Sequence, residues 1–216
     1  MPTPSAPEPA SPATEQRILQ AARTVFIRRG TAGARMQDIA EEAGVNQALL
    51  HYYFRTKDRL AEAVFREAAG RMAPAVARVL GSDDPLERKV EQFVHIYIDT
   101  ARQHPFIPGY VLAEMHHHPE RLAEIAAKMT GGVSTPLAQP IVDRLRAQLE
   151  ELAARGLVRP ITPEQFLVNL LALCVIPFAI RPALTIALGM DEPAFQRFLD
   201  ERRRELPAFI LNALRP

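Results

Sequence analysis

The sequence predicts an all-α protein. Ala and Leu dominate its apolar residues, which favours helix. Apolar residues recur at three- and four-residue intervals through most of its 216 residues. Alternating β-branched runs and Asn-Gly or Asp-Gly hairpin turns are missing. Hydrophobic residues make up 48% of the chain, enough for a sizeable core. The formal net charge is only +1, so a charged partner has to be met by a local patch. The one cysteine, Cys174, excludes an internal disulfide framework and a thiol cluster for zinc, and it points to a reducing cytoplasm.

The elements follow in order. "MPTPSAPEPASPA", residues 1–13, has neither a basic n-region nor an apolar h-region. It reads as a disordered Pro/Ser/Ala tail and not as a secretory signal. A first helix is expected over Glu15–Arg29, with Thr14 as N-cap and Gly30 just past its end. Ile18, Ala22, Val25, Phe26 and Arg29 recur at helical spacing, with an apolar stripe facing inward. Two short helices follow, Met36–Ala43 and Gln47–Phe54, broken at Gly44. Thr56 caps a fourth helix that places Asp58 in its first turn, where the dipole favours an anion, and runs to about Leu80.

Beyond "GSDDP" the chain stays helical. "LERKVEQFVHIYIDTARQH" is one amphipathic segment closed by Pro105, and "IPGYVLAEMHHHPERLAEIAAKM" reads as two pieces broken at Pro119. "PLAQPIVDRLRAQLEELAARG" is a long helix ending at Gly156. The next opens with Thr162 as cap and Pro163 at its first position, and Pro177 and Pro182 kink or divide it. Its apolar stretch, Phe166–Ile180, is too short to cross a bilayer comfortably and contains Asn169 and Pro177, so no membrane partner is expected. A last helix is expected to be kinked at Pro207. The total is about nine helices.

The segment Met36–Phe54 carries the chemistry. Two short helices joined by a tight Gly-containing turn form a helix-turn-helix. Ile39, Ala43, Val45, Leu50 and Phe54 point to one shared core, and the small Ala40 allows close helix approach. With Leu50 and Phe54 anchored at i and i+4, the opposite arc of the second helix carries Ala48, His51 and Tyr52. Leu49 and Tyr53 lie at its edges and Gln47 at its N-terminal tip. Such a polar, aromatic face suits a DNA major groove, which admits one helix. Gln can bond adenine through N6 and N7, and Tyr hydroxyls, Lys57 and a helix N-terminus can bind phosphates. Between Thr14 and Leu60 there are eight Lys/Arg against five Asp/Glu, a modest basic excess where one is needed.

"DIAEEAGVNQALLHYYFRTKDRL" resembles the DNA-binding signature of the TetR (tetracycline repressor) family, closely over about Ile18–Phe65. The resemblance implies base contacts from Gln37 and Gln47. It implies groove and backbone contacts from Asn46, Ala48, Leu49, His51, Tyr52 and Tyr53, and a phosphate contact from Lys57. Ala34 and Arg35 stand where the family often has Thr or Ser. Arg35 cannot accept cap bonds, so the cap of the second helix is lost or its start shifts, and Arg35 can reach a phosphate or the minor groove instead.

The resemblance further implies residues 14–60 as a helix-turn-helix DNA-binding domain and 61–216 as a C-terminal regulatory and dimerisation bundle. The bundle is expected to enclose a pocket for a small hydrophobic effector, with Phe93, Tyr97, Tyr110, Met115 and Phe166 as candidate walls. A homodimer through the last two helices would read a pseudo-palindromic operator, and effector binding would release it. No cofactor or enzymatic activity is expected: G-x-S-x-G, HExxH and a Gly-rich phosphate loop are all absent. Two alternatives stay open. One is a DNA-bound protein governed by architecture or a protein partner without a small ligand. The other is a metal protein or enzyme using His116–His118, although consecutive helical residues diverge by about 100° and cannot all converge on one ion.

Overall fold

The computed structural model describes residues 11–117 and 139–216. Ten α-helices occur among the described residues, and no strand. They are α1 (Pro12–Gly33), α2 (Met36–Ala43), α3 (Gln47–Tyr53), α4 (Lys57–Leu80) and α5 (Leu86–Gln103). They continue as α6 (Ile107–His117), α7 (Gln139–Ala154), α8 (Pro163–Ala179), α9 (Arg181–Leu188) and α10 (Glu192–Ala213). The helix expected after Pro119 lies outside the described residues. The chain divides into two compact units, one ending at Ala69 and the other beginning at Gly70, so the division falls within α4.

In the first unit, α1 starts earlier than the sequence reading places it. Ser11, not Thr14, is the N-cap, accepting from the Thr14 amide at 3.2 Å. Pro12 takes the first helical position, where its missing N–H costs nothing. Thr14 is buried in the first turn instead, its hydroxyl 3.1 Å from that of Ser11. Residues 11–13 therefore belong to helix and cap and not to the tail. Regular helix breaks at Gly30, whose φ of 67° is the left-handed region that favours glycine. Ile18, Ala22, Val25 and Phe26 are buried, as the stripe requires. Arg28 and Arg29 remain at the surface, paired with Glu42 and Asp38 of α2.

The second unit has its own core. Val90, Phe93, Val94, Tyr97 and Ile98 of α5 meet Leu145 and Leu149 of α7, Phe166, Leu170, Cys174 and Phe178 of α8, and Phe195, Leu199 and Leu206 of α10. Thr162 caps α8 and Asp191 caps α10, each through its side-chain oxygen. The single helix expected after Thr162 is divided: α8 and α9 bend by 65° at Ile180, two residues before Pro182. Pro177 stays inside α8. It lacks the N–H that would bond the carbonyl of Leu173, and Arg202 of α10 supplies the replacement, donating to that carbonyl from Nε at 3.1 Å and Nη2 at 2.6 Å. Among the described residues no single helix is long and apolar enough to cross a membrane.

Candidate nucleic-acid interface

The helix-turn-helix is built around a few apolar anchors. Ile39, Ala40 and Ala43 bury one side of α2, Leu50 buries α3, and Phe54 ends it. Val45 in the turn is half-buried. Gly44 terminates α2 at φ 64°, and its N–H and that of Val45 return to the carbonyls of Glu41 and Ala40. A β-carbon at Gly44 would meet nothing within 4 Å, so backbone conformation, not crowding, asks for glycine there.

With Leu50 fully buried, the 100° step of the helix places the predicted face outside. Gln47, Ala48, His51 and Tyr52 are exposed, Tyr52 to 71%. Leu49 and Tyr53 are half-buried at its edges, as expected from their positions. Asn46 caps α3, its Oδ1 accepting from the Leu49 amide at 2.8 Å. His51 Nδ1 lies 3.2 Å from the carbonyl of Arg55, which holds the ring against the end of α3. The Tyr53 hydroxyl donates to the carbonyl of Ser11 at 2.9 Å, tying the last turn of α3 to the start of α1. Tyr52 stands edge-on to Tyr53, with ring centroids 5.5 Å apart.

Two expectations for the flanks resolve. The N-cap bond of α2 is lost while its start stays at Met36: Arg35 occupies the cap position and offers no acceptor. Asp38 compensates from the first turn, accepting from the Arg35 amide at 3.2 Å and from Arg29 at 2.6 Å. Arg35 itself is exposed. Lys57 is half-buried at the first position of α4, and its ammonium donates to the carbonyl of Ala32 at 3.0 Å. That bond pins the turn after Gly30, a role its phosphate-binding reading did not include. Thr56 caps α4 as expected, accepting from the Arg59 amide at 3.2 Å. Gln37 and Glu41 lie exposed on α2, joined by a 3.0 Å hydrogen bond. The surface thus offers one convex helix with amide, imidazole and phenol groups, flanked by Arg35 and Lys57. Those groups can donate to phosphate oxygens and meet base edges in a groove.

The candidate effector residues are in the second unit. Phe93 and Tyr97 are buried on α5 with rings stacked at 6.2 Å, and Tyr97 meets Phe178 at 6.4 Å. Phe166 is 2% exposed on α8, and Tyr110 is buried on α6. The Met115 side chain and His118 lie outside the described residues, and His116 is exposed. A cavity of about 740 Å³ lies elsewhere, at the α7–α8 junction, between Arg146, Glu150, Arg159, Glu164 and Asn169. None of the five candidate effector residues lines it. There the bond from its own amide, the Thr162 hydroxyl and Arg146 hold the Glu164 carboxyl below its usual range. Among the described residues no group of three His, Cys, Asp or Glu side chains could hold a metal ion.

Comparison with known proteins places this arrangement. Residues 18–64 match the family model described as bacterial regulatory proteins, tetR family. The chain is similar to the HTH-type transcriptional repressor SCO4008 of Streptomyces coelicolor, 33% identical over 125 residues, covering 54% of this chain and 62% of that protein. It is similar along most of its length to the HTH-type transcriptional regulator RutR of Escherichia coli, 25% identical over 207 residues, covering 94% and 92%. Among solved structures, HlyIIR, a hemolysin II transcriptional regulator, shares the fold with a TM-score of 0.56 at 21% identity, covering 94% of this chain and 98% of that one. Residues 18–64 thus form a domain of the tetR family of bacterial regulatory proteins.

Proposed function

We propose that this protein is a DNA-binding transcriptional regulator that acts as a homodimeric, effector-responsive repressor in the cytoplasm. The family is one of transcriptional regulators. The single observation that carries the reading is the outward face of α3. Its only fully buried residue is Leu50, and the rest of the seven-residue helix is turned to solvent or to the edges. A helix this short is not stable alone. The first unit holds it by its cap, by Leu50 and by Tyr53, and leaves Gln47, Ala48, His51 and Tyr52 outside.

In this reading α3 enters the major groove, Gln47 meets a base edge, and Tyr52, Arg35 and Lys57 bind phosphates. α8 and α10 form the dimer interface. The uncharged run Gln165–Ile180 leaves Val168, Leu171 and Ile176 exposed on α8, and Phe209 is exposed on α10, which supports a second copy covering them. A small hydrophobic effector binds in the second unit among Phe93, Tyr97, Tyr110, Met115 and Phe166. Since Phe93, Tyr97 and Phe166 are packed in the core, an effector gains access by opening that packing. It releases DNA by binding the non-DNA-competent state more tightly, with α4 as the carrier of the change. Effector and operator then weaken one another by the same factor. The test is a mobility shift of genomic fragments at fixed salt, wild type beside Tyr52→Ala, with dimer mass checked by sedimentation. Loss of binding by a folded Tyr52→Ala dimer supports the reading, and equal binding by both proteins contradicts it.

A further inference from the structure

The acidic residues of α2 divide into two kinds. Asp38 and Glu42, four residues apart, accept from Arg29 and Arg28 of α1 and hold the two helices together. Glu41 is on the next flank and accepts instead from a neutral side chain, the Nε2 of Gln37 at 3.0 Å. That assignment has one orientation. A carboxylate accepts only, so the nitrogen of the Gln37 amide faces Glu41 and its oxygen faces away. A flipped amide would set oxygen against the carboxylate.

The consequence concerns base reading. Adenine presents an acceptor and a donor side by side in the major groove, and guanine presents two acceptors. A glutamine distinguishes them only if the order of its own donor and acceptor is fixed. An exposed amide that turns freely about its last torsion offers both orders. We propose that Glu41 is a positioning residue for DNA recognition: it fixes the amide of Gln37 so that this side chain reads one base pair in each half-site. This rests on the proposal that the helix-turn-helix binds DNA with Gln37 at the groove.

The experiment is selection and sequencing of bound duplexes from a random pool, at one salt concentration, with wild type, Gln37→Ala, Glu41→Ala and Glu41→Gln. Both positions changed are exposed on α2, and circular dichroism melts confirm folding. Gln37→Ala should flatten the base preference at one symmetric pair of positions. Glu41→Ala should flatten the same pair by about threefold or more, a fraction of what one bidentate contact is worth. Glu41→Gln offers the Gln37 amide a donor as well as an acceptor, so both orders become possible and the same preference should flatten although a hydrogen bond is retained. Removing the negative charge raises affinity for all sequences in both Glu41 variants, and that uniform rise does not alter base preference. The proposal is overturned if Glu41→Ala leaves every preference intact, if it acts at positions Gln37→Ala does not touch, or if Glu41→Gln keeps the full preference. A wild type that selects no shared site overturns the DNA-binding reading, and this inference with it. A wild type that selects a site indifferent to Gln37→Ala overturns this inference alone.

Discussion

Replacing Arg202 with methionine isolates the bond that lets a proline sit inside α8. Pro177 leaves the Leu173 carbonyl without its partner four residues on, and the Arg202 guanidinium fills the vacancy with two donors. Burial holds the Arg202 pKa below its ordinary value, and its side chain also lies over the Phe198 ring, 5.7 Å from the centroid. Methionine retains much of the apolar stem and removes both donors. A stranded buried carbonyl costs about 1–3 kcal/mol, and this one is only partly buried, so about 1–2 kcal/mol is expected. For a chain of this size that lowers Tm by about 2–8 °C. Pro177→Ala returns an N–H to position 177, so Leu173 recovers a helical bond. In that background Arg202→Met should cost less than half as much, giving a coupling of about 1 kcal/mol. The assay is urea unfolding of all four proteins at one concentration, read from midpoints at constant m-value. An equal cost of Arg202→Met in both backgrounds refutes the reasoning.

Three further outcomes follow from the structure. Lys57→Ala should lower both stability, by loss of the bond to Ala32, and the salt dependence of operator binding, by about 0.9 in slope for each half-site; an unchanged slope in titrations across salt leaves Lys57 only its structural role. Lys89 is 1% exposed, donates to Gln148 Oε1 at 2.8 Å, and has its pKa lowered by burial and partly restored by Asp84. Gln148→Leu strands that donor and should cost about 1–3 kcal/mol in urea unfolding, whereas the Lys89→Met, Gln148→Leu pair costs less than Gln148→Leu alone; a strictly additive pair contradicts this. Burial pushes the Cys174 thiol up to about 12, against the weaker lowering effect of Arg202. Its contribution to stability is complete below the unfolded value near 9 and lost as pH rises toward 12. At pH 8 a thiol reagent should label the protein only at urea concentrations that unfold it.

The outward face of α3 is legible in the sequence because it depends on local periodicity. Leu50 and Phe54 fix one side of α3, and three-dimensional placement of Ala48, His51 and Tyr52 follows from 3.6 residues per turn. The start of α1 was misplaced although a signal existed: Ser11-Pro12 is a cap followed by the favoured first residue, and Thr14 competed as a second capping residue. Bonds across long sequence separations left no such trace. Tyr53 to Ser11 spans 42 residues, Lys57 to Ala32 spans 25, and Arg202 to Leu173 spans 29. Periodicity also cannot separate a ring that lines a pocket from one that fills a core, since both point inward. Phe93, Tyr97 and Phe166 fit the apolar pattern either way, and in the structure they pack against other side chains.

The most direct measurement is recovery and sequencing of fragments of the organism's own genome bound by the purified protein at stated salt. A shared pseudo-palindromic site, with half-sites set by one α3 in each and lost on Tyr52→Ala, is the predicted result. Salt-sensitive binding to fragments with no common sequence would contradict a sequence-specific dimeric regulator.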